Sequence, residues 1–204
     1  VDPQPIVRAV VLAAGAGRRF GGAKLLAELD DRPLVVHVLE RLGAAGLAHP
    51  VVVVPPNGQV ERALAGMTDR VVVNPQPERG LASSLQLGWA AALAEEPQPT
   101  AVVVVLGDQP RVSVDVLQRL AAAPLDAACP IVAPRYRGGG GSNPIRVEAS
   151  AGALVAAATG DRGLGPLLDQ RPDLVRWLDV EGTNPDVDTP AELASLRATP
   201  TREP

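Results

Sequence analysis

Near the start of the chain, Arg18, Arg19 and Lys24 share one loop with Gly15, Gly17, Gly21 and Gly22. An apolar run from Ile6 to Ala14 leads straight into that loop and reads as a buried strand. Small residues let backbone N–H groups approach an anion, and the three side chains add positive charge beside them. This is chemistry suited to holding a polyphosphate. The chain as a whole carries a formal charge of −4, so the positive charge is concentrated locally.

Acidic residues recur where a metal could use them. Asp108 follows the apolar run Val102 to Leu106 and Gly107, and precedes Gln109-Pro110. A carboxylate at the exit of such a strand meets water and ligand, and magnesium favours one or two carboxylates with waters and substrate phosphates. The alternative is a turn aspartate bonded to its own backbone. Further on, Asp186 and Asp188 alternate in an extended segment and so point the same way. Asp188 is the preferred second ligand, with Asp186 as helper or substitute, while Thr189 reads as a helix cap.

Two glycine signatures are excluded. The dinucleotide fingerprint fails because Phe20 stands at its third glycine and the second strand ends in Pro55-Pro56. Walker A fails because Ala23-Lys24-Leu25 lacks the hydroxyl that follows the lysine. Only His37 and His49 are available as imidazoles, and neither falls in a motif; His37 reads as a helix-surface residue. The one cysteine, Cys129, excludes an intramolecular disulfide and reads as a packed side chain.

The elements that must position these groups alternate. Val51 to Val54, Val71 to Val73 and Val102 to Leu106 read as strands covered on both faces. Helical patterns span Pro33 to Gly43, Gln59 to Leu64 and Leu81 to Ala94, with Pro33 in a first turn and Gly43 as the stop. This predicts an α/β fold: a single-domain, doubly wound, mostly parallel sheet with ligand at the carboxyl ends of its strands. Two extended segments, Ile131 to Pro134 and Asn143 to Val147, flank Gly138 to Gly141, which reads equally as a lid or a surface loop. Helical patterns follow over Ala149 to Ala158 and Gly163 to Gln170, then a strand near Leu174 to Leu178 and a helix over Ala191 to Arg197. One domain over 1–198 is expected, with residues 199–204 as a frayed tail. No run is long enough to span a membrane and no secretory leader is evident, so a cytoplasmic protein is expected. With 2% aromatic residues and no basic run, nucleic acid is not an expected partner.

The pattern L-A-A-G-x-G-x-R-x-G-x-x-K from Leu12 to Lys24 resembles the opening signature of nucleotidyltransferases related to molybdenum cofactor cytidylyltransferase. Leu106-Gly107-Asp108-Gln109-Pro110 and Asp186-Val187-Asp188-Thr189-Pro190 resemble the same family's metal-binding elements. Asn74-Pro75 with Arg79 to Leu85, and Thr159 to Gly163, match in the same order. The resemblance implies a Rossmann-like nucleotidyltransferase fold. It implies Mg²⁺-dependent transfer of a nucleoside monophosphate to the terminal phosphate of molybdenum-molybdopterin, with a molybdoenzyme or its chaperone as a further partner. It places Leu12, Ala13, Ala14, Gly15, Gly17, Arg18, Arg19, Lys24, Asn74, Gly80, Ser83 and Ser84 on the nucleotide. Gln109, Ser142, Asn143 and Asp161 fall to the acceptor, and Arg19, Lys24 and Asp108 to catalysis.

The guanylyl branch typically carries L-A-G-G, so Ala14 points to CTP ahead of GTP as co-substrate. Relatives commonly show G-H-P where this chain has Ser142-Asn143-Pro144, a departure that bears on the acceptor. A sugar-1-phosphate or phospholactate acceptor, or a non-catalytic accessory role in molybdenum-cofactor transfer, are the alternatives.

Overall fold

Valine-rich segments with little side-chain freedom form the centre of the molecule, in a computed structural model that describes residues 5–15 and 17–198. The expected tail, 199–204, lies outside the described residues. The main sheet contains β1 (Val7–Leu12), β4 (Val51–Val54), β5 (Val71–Val73), β6 (Ala101–Leu106), β7 (Ile131–Tyr136), β8 (Ile145–Glu148) and β9 (Val175–Val180). Their order is β5-β4-β1-β6-β8-β7-β9, and β8 alone runs antiparallel to its neighbours. A separate small hairpin pairs β2 (Glu28–Leu29) with β3 (Arg32–Pro33).

Alternation along the strands divides the core. Val11, Val52 and Val103 face α1 (Leu34–Ala44), α2 (Gln59–Ala63) and α4 (Val114–Ala122). Val10, Val53 and Val104 face α3 (Leu81–Leu93), α5 (Gly152–Ala156) and α6 (Gly165–Gln170). Helices on both faces give the single-domain, doubly wound, mostly parallel α/β sheet. A last helix, α7 (Pro190–Ala198), packs near the β2–β3 hairpin.

Several local expectations shift. Helix α1 begins after Pro33, which pairs with Glu28 in the hairpin, and Gly43 lies inside it; the left-handed glycine beyond its end is Gly46. The hairpin lies outside the expected elements. Its turn is Asp30-Asp31, with positive φ at both residues, as a tight two-residue hairpin requires. His37 is half-buried, its Nε2 lying 2.6 Å from the Leu29 carbonyl, so it ties α1 to that hairpin. Cys129 is half-exposed, not packed, with Sγ 3.4 Å from the Asp173 carbonyl.

Candidate active site

Strands β1 and β6 are neighbours from which the chain winds outward in opposite directions. Leu12 sits in register with Leu106, and the Gly107 N–H donates to the Leu12 carbonyl at 3.0 Å. The two loops that leave these strands therefore meet at a topological switch point, where α/β sheets bind ligands. One carries Gly15 to Lys24; the other carries Asp108.

The cationic loop is built around Gly17. Its carbonyl accepts from the Phe20 N–H at 3.0 Å and the Gly22 N–H at 3.1 Å. Its φ of +55° suits glycine, and an added Cβ would lie 3.0 Å from Lys24 Cβ. Arg18–Phe20 and Lys24–Leu26 each form one turn of 3₁₀ helix, joined by the left-handed Gly21, Gly22 and Ala23.

This path brings Lys24 Nζ to 2.6 Å from Asp108 Oδ2 and 2.9 Å from Asp188 Oδ1. Arg19 Nη1 reaches Asp188 Oδ2 at 2.8 Å from the solvent side. The Lys24 side chain is 10% exposed, against 78% for Arg19. Burial opposes the Lys24 charge, but Asp108 and Asp188 outweigh it and hold the ammonium above the ordinary lysine range. Hydrogen bonding and charge from Lys24, with Arg19 behind, hold Asp188 below the usual carboxylate range. Asp186 is pushed the other way, by desolvation and then by the charge of Asp108.

The residues fit a hard divalent cation. Asp108 Oδ1 is buried and has no hydrogen-bond partner among the described residues, a carboxylate oxygen free to coordinate. Among the described residues no group of three or more histidine, cysteine or acidic side chains forms a ready cage. Magnesium does not require one when substrate phosphates complete its shell. Asp186 is differently employed, since its Oδ1 accepts from Gln109 Nε2 at 2.6 Å.

A cavity of about 400 Å³ opens beside this cluster. Ala14, Gly15, Gly17, Arg18, Arg19, Lys24 and Asp188 line one side, and Gly80, Ser84 and Asp161 stand among the residues that close it. Gly80 makes this closure possible: an added Cβ would come within 2.6 Å of Asp161 Oδ1 and of the Gly160 backbone. Asp161, expected on the acceptor side, therefore belongs to the same cavity as the cationic loop. A second cavity, of about 310 Å³, adjoins the first at Leu81 and includes Leu12, Ser142 and Asn143 in its lining. Its floor is aliphatic, from Val104, Leu106, Ile145 and Leu168 among others. Among the described residues the one cation on it is Arg162, paired with Asp169 at 2.8 Å.

Six expected site residues line neither cavity: Asp108 and Asp186, whose contacts are given above, and Asn74, Ser83, Gln109 and Ala13. Asn74 is 1% exposed and donates to Ser83 Oγ and Ser84 Oγ, both at 2.9 Å, so it fixes the entrance of α3 from behind. Ser83 turns its hydroxyl to the Gly80 carbonyl at 2.8 Å. Gln109 is also 1% exposed and holds Asp186. Ala13 is fully buried, its N–H donating to the Val53 carbonyl at 2.8 Å. Polar types in a motif do not show which way their side chains turn. Conversely, Glu78 and Leu164 line the cavities without having been singled out. Glu78 lay just outside the matched segment, and Leu164 follows the Thr159 to Gly163 turn.

Residues 9–175 match the MobA-like NTP transferase domain. The chain belongs to this family. A protein named nicotine blue oxidoreductase, from Paenarthrobacter nicotinovorans, is 34% identical over 203 residues, covering 94% of this chain and 97% of that protein. A probable molybdenum cofactor guanylyltransferase from Pyrococcus horikoshii is 36% identical over 105 residues, 50% of this chain and 48% of that protein. The crystal structure of Rv0371c from Mycobacterium tuberculosis superposes with a TM-score of 0.80 at 31% identity, covering 96% of this chain and 99% of that one. A structure of Rv0371c complexed with manganese gives 0.76 at 28% identity, covering 95% and 99%. As a MobA-like NTP transferase, the chain is a nucleotidyltransferase that acts on a nucleoside triphosphate and a small-molecule acceptor. Its seven-stranded sheet is that family's Rossmann-like fold.

Proposed function

We propose that this MobA-like enzyme uses Mg²⁺ to transfer CMP from CTP to the terminal phosphate of a molybdopterin-type acceptor, releasing pyrophosphate. The observation that carries the reading is the Lys24 ammonium shared by Asp108 and Asp188 on the wall of the glycine-lined cavity, with a second cavity adjoining it. Ala14, 2% exposed where the guanylyl signature has glycine, favours CTP as donor. The relative named as a guanylyltransferase supports the molybdenum-cofactor acceptor.

A phosphate monoester is already ionised near neutral pH, so its oxygen attacks without a general base. That oxygen forms a bond to the α-phosphorus, and the bond from the α-phosphorus to the bridging oxygen breaks. Pyrophosphate leaves with the electron pair. The barrier lies in bringing two anions together in line and stabilising the leaving group. Backbone N–H groups around Gly15 and Gly17 receive the triphosphate, and Arg19 and Lys24 neutralise charge on the α-phosphate and pyrophosphate. Asp108 and Asp188 would hold Mg²⁺, with Asp186 oriented by Gln109 beside them. When bound, the ion supplies further neutralisation of phosphate charge.

The test is pyrophosphate release with CTP or GTP, with and without molybdenum-loaded molybdopterin. Release with CTP that needs the acceptor, stops with a chelator and returns with Mg²⁺ is the expected result. Release with GTP alone would overturn the donor assignment. Release only with a sugar-1-phosphate or phospholactate would replace the acceptor. Nucleotide binding with no release at all would overturn catalysis of this kind and favour the accessory role. The oxidoreductase activity in the name of the P. nicotinovorans relative would then be the next assay.

A further inference from the structure

A third apolar cluster stands apart from the two cores on the faces of the sheet. Leu29, Leu34, Val187 and Leu193 are buried in it, and Phe20 packs against it. Each comes from a different local unit: the β2–β3 hairpin, the start of α1, the acidic segment, α7 and the cationic loop. Val187, Leu193 and the rest of α7 lie beyond residue 175, where the family match ends.

The two halves of the charged cluster are tied to this small core. Phe20 is the only phenylalanine in the chain and directly follows Arg19. Within the loop, which has left-handed residues at Gly17, Gly21, Gly22 and Ala23, Phe20 anchors the Arg19 end on this cluster, while Leu25 and Leu26 anchor the Lys24 end on the main core. On the other side Val187 is fully buried between Asp186 and Asp188, and its N–H donates to the Asp108 carbonyl at 3.0 Å. Burying Val187 in an extended segment turns both flanking carboxylates the opposite way. A capping box completes the arrangement. Glu192 Oε2 accepts from the Asp188 N–H at 2.7 Å and the Thr189 N–H at 2.8 Å, while Thr189 Oγ1 accepts from the Glu192 N–H at 3.2 Å.

We infer that this small core sets the spacing between the cationic loop and Asp188, with Phe20 and Val187 as positioning residues at its two ends. The inference rests on the nucleotidyltransfer reading above. Holding the loop before substrate arrives spares the nucleotide the cost of ordering it.

The test compares wild type with Phe20→Ala and Phe20→Leu by calorimetric binding of CTP and GTP with Mg²⁺, steady-state kinetics and thermal unfolding. Phe20→Ala should keep a cooperative unfolding transition and raise the nucleotide Kd and KM roughly tenfold, the scale of ordering a loop side chain on binding. Phe20→Leu, which restores an apolar anchor, should recover most of that loss. Val60→Ala, a truncation in the main core, should lower stability without moving the Kd. A folded Phe20→Ala that binds nucleotide within twofold of wild type would overturn the inference. Should Phe20→Ala not fold, the smaller truncation Val187→Ala applies the same criterion. A wild-type chain that binds neither nucleotide would overturn the nucleotidyltransfer reading and this inference with it, whereas equal binding by wild type and variant overturns the inference alone.

Discussion

Lys24 Nζ lies 2.6 Å from Asp108 Oδ2, although the residues are 84 positions apart in sequence. The pair joins the loop after β1 to the loop after β6, and both side chains are largely withdrawn from solvent. A buried ammonium and carboxylate at this distance stabilise each other, so removing either leaves the other poorly compensated.

Asp108→Asn retains the shape of the side chain and removes its charge. Loss of one preorganised electrostatic group costs on the order of 3 kcal/mol of barrier, roughly a hundredfold in turnover. Steady-state pyrophosphate release should show that fall with the unfolding transition retained. Activity within twofold of wild type would end the metal-ligand assignment.

On the proposed mechanism Lys24→Ala should lower kcat by a similar factor, since that mechanism calls on its charge most as pyrophosphate departs. The split between constants is informative. A variant with raised KM and unchanged kcat would make Lys24 a ground-state binding residue instead.

Gly80→Ala strains the molecule twice. Gly80 has φ +92°, and the new Cβ would meet Asp161 Oδ1 and the Gly160 backbone. The backbone conformation alone costs about 1–3 kcal/mol for a residue with a side chain. Urea unfolding should register that loss, and the nucleotide KM should rise as the Gly160–Asp161 turn is pushed into the cavity. Unchanged stability and KM would show that the turn relaxes freely.

Tyr136 is the only tyrosine, so its titration can be followed directly by near-ultraviolet absorbance. Its hydroxyl donates to the Asn143 carbonyl at 3.1 Å, behind the wall of the second cavity. Burial raises its pKa from 10.0 to about 12. The unfolded chain therefore loses this proton first as pH rises. The stabilisation is complete below about pH 10 and is lost progressively towards pH 12, amounting to roughly 2–3 kcal/mol. Tyr136→Phe should remove that component of the alkaline loss. A phenol that titrates at 10.0 in the folded protein would contradict the prediction.

Much of the fold was legible because its central strands are nearly pure valine, and runs such as Val51 to Val54 fit few other environments. The β2–β3 hairpin was not, because each strand is two residues long and carries no periodicity. Its sign was the dipeptide Asp30-Asp31, which tolerates positive φ less readily than Asn-Gly and is a weaker turn marker. Within the motifs, residue type indicated the chemistry but not the facing. Asn74 and Gln109 turn inward as struts, and Asp161 stands across from the cationic loop.

Alone, the sequence determined the strand-and-helix alternation, the cationic glycine loop and the carboxylates available to meet it, because these follow from local composition and spacing. Tertiary structure decided which of those groups meet. Lys24 reaches Asp108 because β1 and β6 pair in register, and it reaches Asp188 because the buried Val187 turns that carboxylate outward. Such contacts span 84 and 164 residues, and only the packing of the sheet and its C-terminal helix brings their ends together.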